Sequence, residues 1–382
     1  MNLRPFPPFC LCLILLLLPL RAFPASFPTP PTLAATSWVL AEFPSGQILT
    51  AENPDEPRAP ASLTKLMTAY LTFSALRQNT LNLNSSVRVS ERAWQSGGSK
   101  MFLKVGSSVP VKDLIQGMVI QSGNDASVAL AEAVAGSEEK FVQLMNREAA
   151  RLGMKNSHFV NATGWPDPAH VSTAGDLALL AIALIRDFPE EYARYYAQKE
   201  YRYNNISQPN RNRLLWLDPS VDGMKTGFTT TAGFCLIASS KRGDRRLISV
   251  LLGADSDRAR AGESLKLLNW GFQSFESHRL YPGKQGISAF RVWKGDKSSV
   301  KVGFEHDFVI AVPKPEGSKK LEAKLFSRQP LIAPVKKGQS LGTLSFSLAG
   351  QPYSEFPVYA LEDVATGGWF SRLFDSFRLW FS

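Results

Sequence analysis

Cysteine is scarce, with three in 382 residues. Cys10 and Cys12 fall inside an apolar run near the N-terminus, so Cys235 stands alone beyond it and an intramolecular disulfide is excluded. No Cys-x-x-Cys pair occurs, and the four histidines, His158, His170, His278 and His306, are scattered, a pattern that argues against a metal site. No long Lys/Arg run with interleaved aromatics is present either, so no nucleic-acid partner is expected despite a net charge of +10. Long hydrophobic stretches are also missing. The run from Phe9 to Leu20 has 12 residues, whereas a helix needs about 20 to span a bilayer.

What is there suits an exported globular chain. Hydrophobic residues make up 44% and charged residues 20%, enough apolar material for a sizeable core and two domains. Arg4, the apolar run, then Arg21 and small residues have the form of an export signal over residues 1–26, with a poorly marked cut site; a retained membrane anchor is the weaker reading. Neither Cys10 nor Cys12 matches a lipid-attachment pattern. Cys235, in the apolar run Gly233 to Ser239, reads as a buried strand thiol.

Residues 27–280 read as an antiparallel α+β domain. Trp38 to Phe43 and Gln47 to Ala51 flank Pro44-Ser45-Gly46 as a hairpin. Helical spacing follows over about Leu63 to Leu76, Val111 to Gln121, Ala126 to Ala135, Glu138 to Leu152 and Ala174 to Arg186, with a Gly/Pro/Asn-rich loop at Asn161 to Pro168. Beyond Lys225, Gly233 to Ser240 and Arg245 to Gly253 form a second hairpin, buried on both faces, before a helix of about Arg260 to Phe275. Strands at both ends imply one shared sheet flanked by helices. Residues 281–362, short strand-like pieces broken by Gly, Pro and Lys, read as a small all-β domain in a spacer or interaction role.

Residues 363–382 differ again. Trp369, Phe370, Leu373, Phe374, Phe377, Trp380 and Phe381 form one wide apolar face, with Arg372, Asp375, Ser376 and Arg378 opposite. An amphipathic helix this aromatic suits the interface plane of a membrane. Docking on its own protein or in a homodimer is the competing reading.

Three short motifs carry chemistry. Ser62-Leu63-Thr64-Lys65 opens the first apolar helix, and a spacing of three puts hydroxyl and amine side by side. A lysine serves as base to a serine nucleophile when burial or a neighbouring cation depresses its pKa. The pattern is weak alone: Ser137-Glu138-Glu139-Lys140 fits a helix N-cap, and Ser298-Ser299-Val300-Lys301 lies in a polar stretch. Ser122-Gly123-Asn124 sits at a turn between helices. In Lys225-Thr226-Gly227, Lys and Thr offer donors to a carboxylate, and Gly allows a backbone to approach an edge strand.

The three together, in this order, resemble the penicillin-binding protein and serine β-lactamase superfamily. The flanking text is closer still to the low-molecular-mass penicillin-binding proteins that are serine-type D-alanyl-D-alanine carboxypeptidases of the S11 family. It reads Ala61-Ser62-Leu63-Thr64-Lys65-Leu66-Met67-Thr68-Ala69-Tyr70, Gln121-Ser122-Gly123-Asn124-Asp125-Ala126 and Asp222-Gly223-Met224-Lys225-Thr226-Gly227. The resemblance runs from about Ala35 through the C-terminal helix. It implies that Ser62 acylates on the peptidoglycan pentapeptide and releases D-alanine, with Lys65 as base and no cofactor. Ser122 would relay protons, and Asn124 would position Lys65 and the substrate amide. Lys225, Thr226 and Gly227 would receive the terminal carboxylate, with Arg260 assisting. Backbone N–H groups of Ser62 and Phe228 would form the oxyanion hole. Phe228 departs from the His or Thr often found after Lys-Thr-Gly, which bears on substrate preference and β-lactam sensitivity.

The resemblance further implies covalent capture of β-lactam antibiotics and a peripheral place on the outer, periplasmic face of the cytoplasmic membrane. The alternatives are a β-lactamase, a D,D-endopeptidase and a non-catalytic cell-wall scaffold. The loop Asn161 to Pro168 has Asp167 but no glutamate for deacylation, which disfavours the first. Intact Ser62, Lys65, Ser122 and Lys225 disfavour the last.

Overall fold

A computed structural model describes residues 27–314 and 321–380; the expected export signal at residues 1–26 lies outside them. The strands β1 (Ser37–Phe43), β2 (Ile48–Glu52), β3 (Val221–Thr229), β4 (Gly233–Arg242) and β5 (Arg245–Ala254) form one antiparallel sheet in the order β2-β1-β5-β4-β3. The segments at the two ends of the domain therefore meet at its centre, where β1 pairs with β5 from Ser37 opposite Leu252 to Phe43 opposite Arg246.

Two-residue periodicity gives each central strand two apolar faces. Val39, Ala41, Cys235, Ile237, Ile248 and Val250 join the larger core, which also contains residues of α1 (Lys65–Arg77), α2 (Val111–Ile120), α3 (Asn124–Ala135), α4 (Glu138–Leu152) and α5 (Ala174–Asp187). Trp38, Leu40, Leu236, Ala238 and Leu247 pack on the other face against Leu267 and Leu268 of α6 (Asp257–Ser274). Cys235 is fully buried, and burial raises its thiol pKa, as suits an inert core group.

Some local structure differs from the sequence reading. The expected helix from Leu63 is a 3-10 turn over Ala61–Thr64, and the α-helix begins at Lys65. Ala61 has a φ of +48°, which turns the chain sharply just before Ser62. The loop before the third motif contains an unforeseen hairpin of Glu200–Tyr203 and Ile206–Pro209; strands this short carry too few residues for alternation to show. Ser137 caps α4 by accepting from Lys140 N–H at 3.3 Å, as its sequence context indicated.

Beyond α6 the regular elements among the described residues are strands until the last helix. The strand Phe275–Tyr281 pairs with Phe308–Pro313, and a six-stranded sheet adjoins them over a core that includes Phe290, Val302, Phe308, Phe346 and Phe356. Gln47, at the start of β2's hairpin arm, joins the two parts: its amide accepts from Ala311 N–H at 2.7 Å and donates to Ala311 C=O at 3.0 Å. The last helix, α7 (Trp369–Leu379), leaves its aromatic residues exposed. Among the described residues no helix is long and apolar enough to cross a membrane.

Candidate active site

A cleft of about 500 Å³ runs between β3 and the helical region, lined by Ser62, Ser122, Asn124, Thr163, Thr226, Gly227 and Phe228 among others. All three sequence motifs thus meet in one place. Ser62 enters from the 3-10 turn, Asn124 from the first residue of α3, and Thr226 from the sheet edge β3.

Lys65 is the centre of the arrangement. It is 1% exposed, and its Nζ lies 2.9 Å from Ser62 Oγ, 2.7 Å from Asn124 Oδ1 and 2.6 Å from Thr163 C=O. Burial, aided by the nearby Arg211 cation and opposed by Asp125, lowers its pKa to about 7. The amine is therefore partly neutral near neutral pH. Asn124 Oδ1 and the Thr163 carbonyl can only accept, so they take the two hydrogens of the neutral amine. The remaining lone pair faces the Ser62 hydroxyl.

The surrounding groups have distinct settings. Asn124 Nδ2 donates to Gly97 C=O at 2.7 Å, which fixes the orientation of its amide. Ser122 has a φ of +66° and a buried Oγ with no hydrogen-bond partner among the described residues. Lys225, 3% exposed, donates to Thr226 C=O at 2.9 Å. Burial and the charges of Lys65, Arg211 and Arg260 push its pKa well below the usual lysine value.

Arg260 lines the cleft, but its guanidinium is engaged, donating to Gly227 C=O at 2.9 Å and Cys235 C=O at 3.3 Å and pairing with Asp257. It braces the sheet edge on which a carboxylate would lie. Phe228, half exposed at the rim, packs on Phe234 with ring centroids 4.3 Å apart. Gly227 serves the protein's own packing, since a Cβ there would come within 3.2 Å of Ala61 Cβ and Pro60 C=O. The expectation of room for an approaching backbone thus has a second cause.

Sequence reasoning placed the loop Asn161 to Pro168 but missed its part in holding Lys65. Asn161 Oδ1 accepts from the N–H groups of Thr163, Gly164 and Trp165 at 2.8–3.1 Å, and this turn aims the Thr163 carbonyl at Lys65. Gly164 has a φ of +81°, and a Cβ on it would lie 1.7 Å from Ala61 C=O, so no other residue fits. The Asn-x-Thr-Gly string was visible, but its turn chemistry named no partner. Arg211, also on the cleft wall, carried no motif to mark it.

A serine hydroxyl paired with a buried, partly neutral lysine, on an antiparallel sheet flanked by helices, defines an active-site-serine enzyme of the penicillin-binding-protein fold. Comparison with known proteins makes this specific. Residues 25–256 match the family model for D-alanyl-D-alanine carboxypeptidase, peptidase S11, and residues 275–366 match the penicillin-binding protein 5 C-terminal domain. The chain belongs to the S11 family of D-alanyl-D-alanine carboxypeptidases.

It is 46% identical over 363 residues to D-alanyl-D-alanine carboxypeptidase DacC of Escherichia coli, covering 92% of this chain and 90% of that protein. It is 42% identical to DacA of Haemophilus influenzae, covering 91% and 89%. Penicillin-binding protein 5 of H. influenzae superposes with a TM-score of 0.75 at 42% identity, over 88% of this chain and 99% of that one. Penicillin-binding protein D2 of Listeria monocytogenes, solved in an ampicillin-bound form, matches 64% of this chain and all of its own, at 30% identity and a TM-score of 0.59.

Proposed function

We propose that this chain removes the terminal D-alanine from peptidoglycan stem pentapeptides through an acyl-enzyme on Ser62. The observation that carries the reading is the Lys65 amine, whose two other partners are pure acceptors and whose lone pair is left for the Ser62 proton. Ser62 Oγ attacks the carbonyl between the last two D-alanines while Lys65 takes its proton. The oxyanion forms against the backbone N–H groups of Ser62 and Phe228. Ser122, whose Oγ has no hydrogen-bond partner among the described residues, passes the proton to the leaving amine, and D-alanine departs. Water then hydrolyses the ester, with Lys65 again as base. Lys225 and Thr226 hold the substrate carboxylate, and Gly227 keeps their strand against the nucleophile turn.

A β-lactam presents the same carbonyl and carboxylate, so it acylates the same serine. The experiment is covalent labelling with fluorescent penicillin together with D-alanine release from diacetyl-lysyl-D-alanyl-D-alanine. The wild-type chain does both and Ser62→Ala does neither. A Ser62→Ala protein that still labels covalently would falsify the nucleophile assignment.

Residues 1–26 act as the export signal, residues 27–280 carry catalysis, and residues 281–362 form a β-rich spacer. Residues 363–382 hold the enzyme peripherally on the outer face of the cytoplasmic membrane. Supporting the last point, Trp369, Phe370, Leu373, Phe374, Phe377 and Trp380 are 59–84% exposed on one short helix, with Arg372 and Arg378 on its flanks to meet anionic headgroups. The same face is the surface by which a homodimer would form.

A further inference from the structure

The aromatic helix α7 is joined to the β domain without slack. Thr366 bridges to Gly295, and Gly367 N–H donates to Lys294 C=O at 2.8 Å, so Gly368 alone separates the domain's last hydrogen bond from the helix. Two turns further on, Asp375 Oδ2 accepts from Lys294 N–H at 2.6 Å. Both backbone groups of Lys294 therefore hold the tail, and its φ of +59° is the conformation that presents them.

On the domain side both attachments converge on the N–H and C=O of one residue, Lys294, while on the tail side they hold Gly367, just before the helix, and Asp375, within its second turn. The helix is thus tied at its start and again in that second turn. Asp375 and Leu379, four residues apart, are the half-buried positions on the side facing the domain, while the aromatic residues point away. The β domain is in turn tied to the catalytic sheet by the reciprocal Gln47–Ala311 amide pair, by Gln47 Nε2 donating to Ser354 Oγ at 3.4 Å and by Ser277 Oγ donating to Glu42 at 2.7 Å.

We propose that Asp375 is a positioning residue that latches the aromatic helix to Lys294, so that a lipid surface seated on that helix holds the catalytic cleft at one fixed orientation. The inference rests on the membrane reading above and adds to it. A flexible tether would let the cleft reach stems at any height. A latched helix restricts it to stem peptides presented within a narrow band of distances from the lipid surface.

The test uses the full chain, Asp375→Ala and Asp375→Asn, with vesicles containing phosphatidylglycerol. Three quantities are read: hydrogen exchange at the Lys294 amide, co-sedimentation, and D-alanine release from pentapeptide tethered to the vesicles by spacers of graded length. The wild type protects the Lys294 amide, and its release peaks at one spacer length. Asp375→Ala exchanges there at least tenfold faster and loses the peak, while its vesicle binding and its rate on free peptide stay within twofold. Asp375→Asn keeps an acceptor oxygen and restores the peak. An unprotected Lys294 amide in the wild type, or a spacer profile unchanged in Asp375→Ala, overturns the proposal. A wild-type chain that remains in the supernatant overturns the membrane reading and the fixed orientation with it, while Lys294 exchange still reports separately on the latch.

Discussion

At the scale of single residues, the proposed catalysis turns on which protons Lys65 holds. With a pKa lowered to about 7, the amine gains its lone pair as pH rises through that value. The acidic limb of kcat/KM for D-alanine release should therefore have its midpoint near pH 7, and rates should rise toward alkaline pH. Lys65→Arg keeps the charge but cannot deprotonate, and should lower acylation by about 10²–10⁴-fold, measured as the rate of penicillin labelling. Ser122 presents the opposite case. Its buried hydroxyl lacks a partner, so Ser122→Ala should leave thermal stability unchanged or raise it by up to about 1 kcal/mol. The same variant should lose at least tenfold in D-alanine release. A variant that is less stable and fully active would sink the relay assignment.

Elements hold these residues by contacts that cross between them. The nucleophile turn is pinned from behind, where Thr64 Oγ1 meets His170 Nε2 at 2.9 Å and Val160 N–H donates to His170 Nδ1 at 3.2 Å. Nδ1 must accept, so Nε2 carries the hydrogen and the ring is neutral. Burial lowers its pKa to about 4, against an ordinary value near 6.5. The unfolded chain takes up a proton below 6.5 that the folded chain resists, so stability is present above 6.5 and is lost as pH falls through about 4. The loss is on the order of 3 kcal/mol. Denaturant melts between pH 7 and 4 should show this slope, and His170→Asn should flatten it.

For the whole molecule, the decisive feature is separation of tasks. The candidate cleft is lined by residues before Ser274, while α7 and the residues leading into it bond to the β domain at Lys294 and Gly295. Deleting 367–382 should therefore leave kcat/KM on a small soluble peptide within twofold and move the protein from the membrane pellet to the supernatant. Unchanged sedimentation would refute the anchor, and lost peptide activity would show that the tail supports the cleft.

Periodicity and motif order were enough to read an α+β domain, its shared sheet, a β-rich second part and the resemblance carried by Ser62, Lys65, Ser122, Asn124 and Lys225. These features are local: a two- or 3.6-residue repeat and a three-residue helical offset are written into neighbouring positions. The short Glu200–Tyr203 hairpin was too brief for that signal to register. Tertiary structure alone decided what surrounds Lys65, because its acceptors come from 59 and 98 residues away. Which partner takes each hydrogen, how far burial lowers the pKa and why Gly164 must be glycine all depend on surfaces brought together by packing. The latch between Lys294 and Asp375, 81 residues apart, is of the same kind. A sequence repeat records which face of an element is apolar, and only the folded chain records what that face, and the polar groups beside it, finally meet.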